Sequence, residues 1–295
     1  MQQRARKVFY GKVLLFGEHI IHLGGRGLAV PAPVFHGRFR FAKDQTAAQS
    51  LSTWADWITS QPELAKGIDT ASFFADIQRG MYFDSNIPQG YGAGSSGALT
   101  AAVYHSYRKN KSRISTEEIK DQLSRLESFF HGKSSGLDPL VSFLNYPISI
   151  SENEIRKVAL PQGKDHTAVF LLDTQMARST GDWVKLFLQK CRQPDFKRMI
   201  SESMIPVNEN CIQTLLTNKQ NALFNSLQLL SQLQFDYMRE FIPEHLHNLW
   251  HQSLMRKEYK LKICGAGGGG FMLCFTSLTQ QELEFKLQHP LIRIL

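Results

Sequence analysis

Four glycines and two serines crowd into the stretch IPQGYGAGSSGALTAAVY, Ile87 to Tyr104, and run straight into an alanine-rich helical pattern. A glycine-rich turn that opens a helix exposes backbone N–H groups beside the positive end of the helix dipole, and that arrangement binds anions, phosphate above all. A nucleotide is therefore the first ligand this stretch suggests. Two familiar phosphate patterns fit poorly. The only Gly-Lys-Ser, Gly132 to Ser134, has Glu127 where a Walker A loop needs its first glycine. The dinucleotide pattern G-x-G-x-x-G occurs twice, at Gly92, Gly94, Gly97 and at Gly265, Gly267, Gly270. Pro88 and Gly90 interrupt any strand leading into the first, and the second lies too near the C-terminus for a full βαβ unit, so a nicotinamide enzyme is poorly supported.

Three further segments carry reactive groups. GKVLLFGEH, Gly11 to His19, supplies Lys12, Glu18 and His19; HGKSSGLDPLVSF, His131 to Phe143, presents Asp138 after a Gly/Ser turn; KICGAGGGGFMLCF, Lys262 to Phe275, sets a polyglycine turn between two apolar runs. Glu127 lies on the flank of a helical stripe made by Ile119, Leu123, Leu126 and Phe130, about 70° from its centre at roughly 100° per residue. A carboxylate half-turned toward a core needs a partner. Solvent or a lysine would serve, and so would a magnesium ion near the phosphate loop.

These residues need a scaffold to hold them. Lys12–Phe16 and the alternating Gly37–Ala42 read as strands, with Gly24, Gly25 and Gly27 in the turn region between them. Residues 51–79 read as mainly helical, and Gly80–Pro88 as a strand delivering the chain to the glycine loop. Beyond it, Leu99, Ala102, Val103 and Ser106 make a small-residue helix face suited to close packing. Ser115 and Glu118 form a capping-box pair at the start of the Glu127 helix. Leu223–Phe235 reads as core.

Composition bounds the rest. A chain of 295 residues, 42% hydrophobic and 20% charged, is long enough for a large core and more readily two lobes than one. The basic N-terminus runs into an amphiphilic segment with no signal-peptide core, and no apolar run approaches a membrane span, so a cytoplasmic protein without a membrane partner is expected. Cys191, Cys211, Cys264 and Cys274 are widely spread, as reduced structural thiols are. The formal charge is +8, but the densest basic run, Arg108–Arg113, is followed by acidic residues and reads as a solvated loop; nucleic acid is not an expected partner. His247 and His251 have a zinc-compatible spacing, yet the glutamate of H-E-x-x-H is missing, and a helix face explains them.

Taken in order, the four segments resemble the GHMP kinases, the superfamily of galactokinase, homoserine kinase, mevalonate kinase and phosphomevalonate kinase. Within it they resemble the mevalonate kinase branch most, through GKVLLFGEH, HGKSSGLDPLVS, LLDTQMARSTGDWV and GAGGGG. The resemblance implies an α+β fold of two lobes, residues 1–145 like ribosomal protein S5 domain 2 and residues 146–295 ferredoxin-like, with the site between them. It implies a small-molecule kinase of isoprenoid precursor synthesis that uses ATP and Mg2+ to phosphorylate the 5-hydroxyl of mevalonate; phosphomevalonate and galactose are the competing substrates, and a homodimer is left open. Asp138 then corresponds to the base or positioning carboxylate and Lys12 to the cation beside it. Gly90, Gly92, Ala93, Gly94, Ser95 and Ser96 correspond to the ATP-phosphate loop, and Ser96 with Glu127 to the metal ligands, Glu127 standing eleven residues before Asp138 as in the family. Glu18, His19, Arg178, Thr180, Gly267 and Gly268 correspond to substrate contacts. Chemistry leaves structural alternatives beside several of these: a hydrogen-bonded core histidine for His19, a helix cap for Thr180, a tight turn for the polyglycine segment. The chain departs from the family pattern at Tyr10, where proline is common, at Ala93 in place of leucine, and at Gly97 in place of alanine.

Overall fold

The computed structural model describes residues 7–42, 49–152, 154–161, 167–177 and 180–295. In chain order its elements are β1 (Phe9–Phe16), β2 (Gly27–Phe41), α1 (Gln49–Ser60), α2 (Pro62–Gly67), α3 (Thr70–Gln78), β3 (Met81–Ser85), α4 (Ser95–Tyr107), α5 (Thr116–His131), α6 (Leu137–Leu144), β4 (Ile148–Ser151), β5 (Glu154–Lys157) and β6 (Ala168–Asp173). There follow α7 (Thr180–Lys190), α8 (Pro194–Met199), α9 (Ile205–Leu216), α10 (Gln220–Tyr237), α11 (His247–Met255), β7 (Tyr259–Ile263), β8 (Phe271–Thr276), α12 (Gln280–Leu287) and β9 (Leu291–Arg293). The fold is a mixed α+β one. Two sheets run β1-β2-β4-β5, with β3 also on β2, and β7-β8-β6-β9. The residues group into two compact units: one takes residues up to Lys12 with Pro31–Pro88 and Ala93–Tyr146, the other Val13–Val30, Gln89–Gly92 and Pro147–Leu295.

In the first unit, β2 pairs antiparallel with β3 from Gly37↔Ser85 to Phe41↔Met81. Within the expected strand Phe39 is buried and Arg40 exposed, as its alternation implies, but Phe41 at the end of the strand is exposed. The expected helical segment is three helices, α3 being capped by Asp69, whose carboxylate accepts the Ser72 N–H at 3.1 Å. Helix α4 is buried almost all round rather than along one face, with Leu99 only half-buried. Its glycine and alanines are what let α6 come close. The Ser115–Glu118 capping box is present on α5, where Leu123, Leu126 and Glu127 are buried. Phe130, expected on the buried stripe, is 36% exposed and instead lies against Trp54, ring centroids 4.9 Å apart.

The N-terminal end of β2 belongs to the second unit and corrects the expected strand start. Gly27, expected in the turn region, is the first residue of the strand and pairs with Ile150 of β4; a Cβ there would lie 2.5 Å from Ile21 Cδ1, so a larger residue would require the Ile21 side chain to move. The β6–β8 ladder runs from Ala168↔Thr276 to Asp173↔Phe271 and buries every side chain of β8. Of the stretch read as core, Leu223, Leu227, Leu230 and Phe235 of α10 are buried, while Leu229 is exposed. A π-helical turn at Ile200–Met204 joins α8 to α9, whose second residue, Pro206, has no N–H to give. Lys260 is buried and its ammonium caps the last carbonyls of α11, at Ser253 O and Arg256 O. None of the four cysteines forms a disulfide. Burial pushes the Cys211 thiol up to about 12. Among the described residues no helix is long and apolar enough to cross a membrane.

Candidate active site

Lys12 and Asp138 form the centre of the site in the first unit. Lys12 is the fourth residue of β1, and its backbone N–H donates to Ala93 O at 2.9 Å, which ties the strand to the glycine loop. Its ammonium meets Asp138 Oδ1 at 2.9 Å; the lysine side chain is 9% exposed and the aspartate 31%, so the carboxylate is the member open to a reactant. Asp138 stands in the first turn of α6, which Gly136 opens in the left-handed conformation, φ 71°. Gly94 opens α4 in the same conformation, φ 80°, with no side chain capping the helix. A Cβ at Gly94 would come within 3.1 Å of Lys12 Cγ and 3.9 Å of Asp138 Oδ2. Asp138 therefore lies against the open N-terminus of α4, where N–H groups and dipole favour an anion. Gly90 and Gly92, which belong to the second unit, also have positive φ, 75° and 71°.

A second cluster sits on the first turn of α4. Ser96 Oγ donates to Glu127 Oε1 at 3.0 Å and is 3.0 Å from His131 Nε2, while Ser134 Oγ donates to Glu127 Oε2. Glu127 and His131 are one helical turn apart on α5 and so share a face. Burial pushes the Glu127 carboxyl up to about 7; the neighbouring Asp138 adds to this, and the two serine hydroxyls and Lys12 oppose it. A carboxylate and a serine hydroxyl are hard oxygen donors of the kind magnesium takes. Two protein oxygens are also what this ion uses when nucleotide phosphates and water complete its shell. Among the described residues no group of three or more His, Cys, Asp or Glu side chains is arranged for a metal. His247, one of the pair with zinc spacing, is bonded through Nε2 to Ile242 O at 2.9 Å.

The expected substrate contacts lie in the second unit, and the structure gives several of them protein partners. Glu18 Oε1 meets Lys262 Nζ at 2.6 Å, with the side chains 3% and 1% exposed. The same ammonium donates to Ile263 O at 2.9 Å and lies 5.3 Å from the Phe16 ring centroid. His19 has a positive φ of 63° and is buried. Its Nε2 donates to Ala266 O at 3.0 Å, and its ring stacks on Phe187 at 4.7 Å and meets Phe241 edge-on at 5.2 Å. Two links thus fasten the turn after β1 to the polyglycine segment. Gly267 and Gly268 are packed under aromatic side chains: a Cβ on Gly267 would lie 2.8 Å from Phe241 Cβ, and one on Gly268 only 1.8 Å from Trp183 Cε2. Thr180 is the first residue of α7, and Arg178 lies outside the described residues.

The sequence reading missed His131, Ser134, Lys262 and Trp183 as members of these clusters. Signals were present for two. His131 stands four residues after Glu127, and Lys262 opens the very segment that contains the glycines. Ser134 looked like turn chemistry alone, and nothing in the spacing joins Trp183 to Gly268, 85 positions away.

Comparison with known proteins gives a consistent picture. The family model for the GHMP kinases N terminal domain matches residues 63–145. A mevalonate kinase of Thermococcus sibiricus is 26% identical over 304 aligned residues, covering 92% of this chain and 89% of that protein. The fold matches the crystal structure of the L. major mevalonate kinase in complex with R-mevalonate, with a TM-score of 0.66, 17% identity and coverage of 97% and 94% of the two chains. It also matches the Streptococcus pneumoniae phosphomevalonate kinase, with a TM-score of 0.68, 16% identity and 98% of both chains.

Proposed function

We propose that this chain is a small-molecule kinase of the GHMP superfamily that transfers the γ-phosphoryl group of ATP to the 5-hydroxyl of mevalonate, a reading supported by the family-model match over residues 63–145 and by the relative that aligns along most of the chain. The observation that carries the reading is the Lys12–Asp138 pair, 2.9 Å apart, set against the open N-terminus of α4. The named relative that aligns over nine-tenths of the chain supports the choice of alcohol.

In this reading Ser95, Ser96 and the glycine loop hold the phosphates through backbone N–H groups at the start of α4. Asp138 Oδ1 is held by Lys12, which leaves Oδ2 for the alcohol. The alcohol oxygen forms a bond to the γ-phosphorus as the bond from phosphorus to the β–γ bridging oxygen breaks; the hydroxyl proton passes to Asp138 and ADP leaves. Lys12 stabilises negative charge on the attacking oxygen and keeps Asp138 oriented. Ser96 and Glu127 would hold Mg2+, which when bound neutralises phosphate charge and fixes the in-line geometry. Arg178 and Thr180 complete the substrate side. Glu18 and His19 act there through the polyglycine turn they fasten.

Coupled ADP release with Mg-ATP, comparing mevalonate, phosphomevalonate, galactose and homoserine, tests this. Turnover with mevalonate alone is expected. Turnover with another acceptor would reassign the alcohol, and ATP binding without turnover on any of them would leave a nucleotide-binding regulator instead.

A further inference from the structure

The hydrogen-bond directions around Glu127 can be counted. Ser96 has a single hydroxyl hydrogen and gives it to Glu127 Oε1, 3.0 Å away. His131 Nε2, also 3.0 Å from that hydroxyl oxygen, is the donor to it in the tautomer that carries hydrogen on Nε2. The other side repeats the pattern. Ser134 Oγ accepts the Gly136 N–H at 2.9 Å and donates to Glu127 Oε2. Each carboxylate oxygen receives one hydroxyl, and each hydroxyl is aimed by a donor behind it.

One lone pair on Ser96 Oγ and the remaining lone pairs of Glu127 are unspent. The turn that supplies the aiming groups is itself fixed. Gly132 ends α5 and Gly136 opens α6, both at positive φ. Ser124 Oγ donates to Ser134 O at 2.7 Å, and a Cβ on Gly136 would lie 2.5 Å from Lys120 O. Neither aiming residue has an evident role in holding the core together: His131 is exposed and Ser134 is partly so.

We propose that His131 and Ser134 are positioning residues of the divalent-cation site, holding the Ser96 hydroxyl and the Glu127 carboxylate with their free lone pairs turned to a cation that arrives with the nucleotide. The proposal rests on the kinase reading above. Groups that orient metal ligands typically matter ten- to a hundredfold in metal affinity when removed. His131 does so through its N–H, and a glutamine at the same position offers an amide N–H in its place.

The test is a Mn2+ titration followed by electron paramagnetic resonance in the presence of a non-hydrolysable ATP analogue, on the full chain. His131→Leu and Ser134→Ala are expected to weaken Mn2+ binding about tenfold or more, with melting temperature held. His131→Gln is expected to recover most of the loss. In steady-state turnover the same variants should raise the KM for metal-nucleotide more than they lower kcat at saturating metal. Glu127→Gln, which removes a ligand, sets the lower limit. His131→Leu binding Mn2+ as tightly as the unmodified protein, or His131→Gln behaving no better than leucine, overturns the proposal while Glu127→Gln still reports on the metal site. An unmodified protein that binds no Mn2+ with nucleotide overturns the kinase reading itself.

Discussion

Gly97 sets how closely α6 approaches α4, and replacing it by alanine separates stability from catalysis. The resemblance makes alanine the usual residue at this position, the third of α4, and alanine favours helix over glycine by up to about 1 kcal/mol. Here the added Cβ would lie 2.8 Å from the carbonyl carbon of Asp138, 2.9 Å from its Cβ and 2.9 Å from Pro139 N. These are mostly backbone atoms that no rotamer change can clear. Ordinary contact begins near 3.4 Å, so the start of α6 must retreat by roughly 0.5 Å, and such overpacking costs about 1–3 kcal/mol. The two effects leave a net destabilisation of about 0–2 kcal/mol, a fall of a few degrees in melting temperature at most. Activity should suffer more. A misplacement of about 1 Å can cost on the order of a hundredfold, so half of it in Asp138 points to roughly a tenfold fall in kcat, with ATP affinity nearly unchanged. Thermal unfolding beside coupled ADP release reads both. A Gly97→Ala protein with full kcat and a raised melting temperature would refute the claim that this contact positions Asp138.

Asp138→Asn and Lys12→Met should each lower kcat by orders of magnitude while nucleotide binding survives, and the double variant should cost little more than either, since the pair acts as a unit; additive losses in a kinetic double-mutant cycle would count against a shared role. Lys262→Met takes the buried cation away from Glu18 and should destabilise the fold in urea unfolding, by up to about 3–5 kcal/mol, whereas adding Glu18→Gln should restore a large part. His105 titrates well below its usual range, near 4, chiefly from burial and then from Lys7, Arg108 and Lys111; its Nδ1 is 3.2 Å from Lys7 Nζ and its ring packs on Phe9 and Phe143. A folded-state value below the unfolded one means a stability contribution present above pH 6.5 and lost as pH falls toward 4. His105→Gln should therefore flatten the stability profile between pH 6.5 and 5 in urea titrations, and unchanged slopes would contradict it.

Much of the site was legible because its parts sit on local patterns. The capping box at Ser115 and the apolar stripe of α5 fixed the helix that carries Glu127, and the glycine spacing fixed where α4 begins. The pairing of Lys12 with Asp138 was not readable from periodicity, since 126 positions separate them; only the order of motifs suggested it. Strand β2 begins at Gly27, ten residues before the expected start at Gly37, and includes Pro31 and Pro33. They fall between the β4 ladder, which ends at Ala29, and the β3 ladder, which begins at Gly37, where a missing N–H is tolerated. Phe130 was assigned to the core by its place on the stripe, yet it lies at the end of α5, where a ring can find Trp54 without full burial. The Glu18–Lys262 pair was invisible for a different reason: a buried ion pair joins residues by charge across the chain, and no local period marks it.

The grouping of Val13–Val30 with residues beyond Pro147 bears on how the polypeptide emerges from the ribosome. Gly27–Ala29 find their partners at Ile148–Ile150 only after about 120 further residues have been made, roughly 10 s at ordinary translation speeds. Leu15, Phe16, Leu28 and Val30, all buried in the finished protein, must wait through that interval without their final neighbours. A nascent chain stalled before Ile148 would display this apolar strand, and its solubility during synthesis would then depend on whatever chaperone covers it.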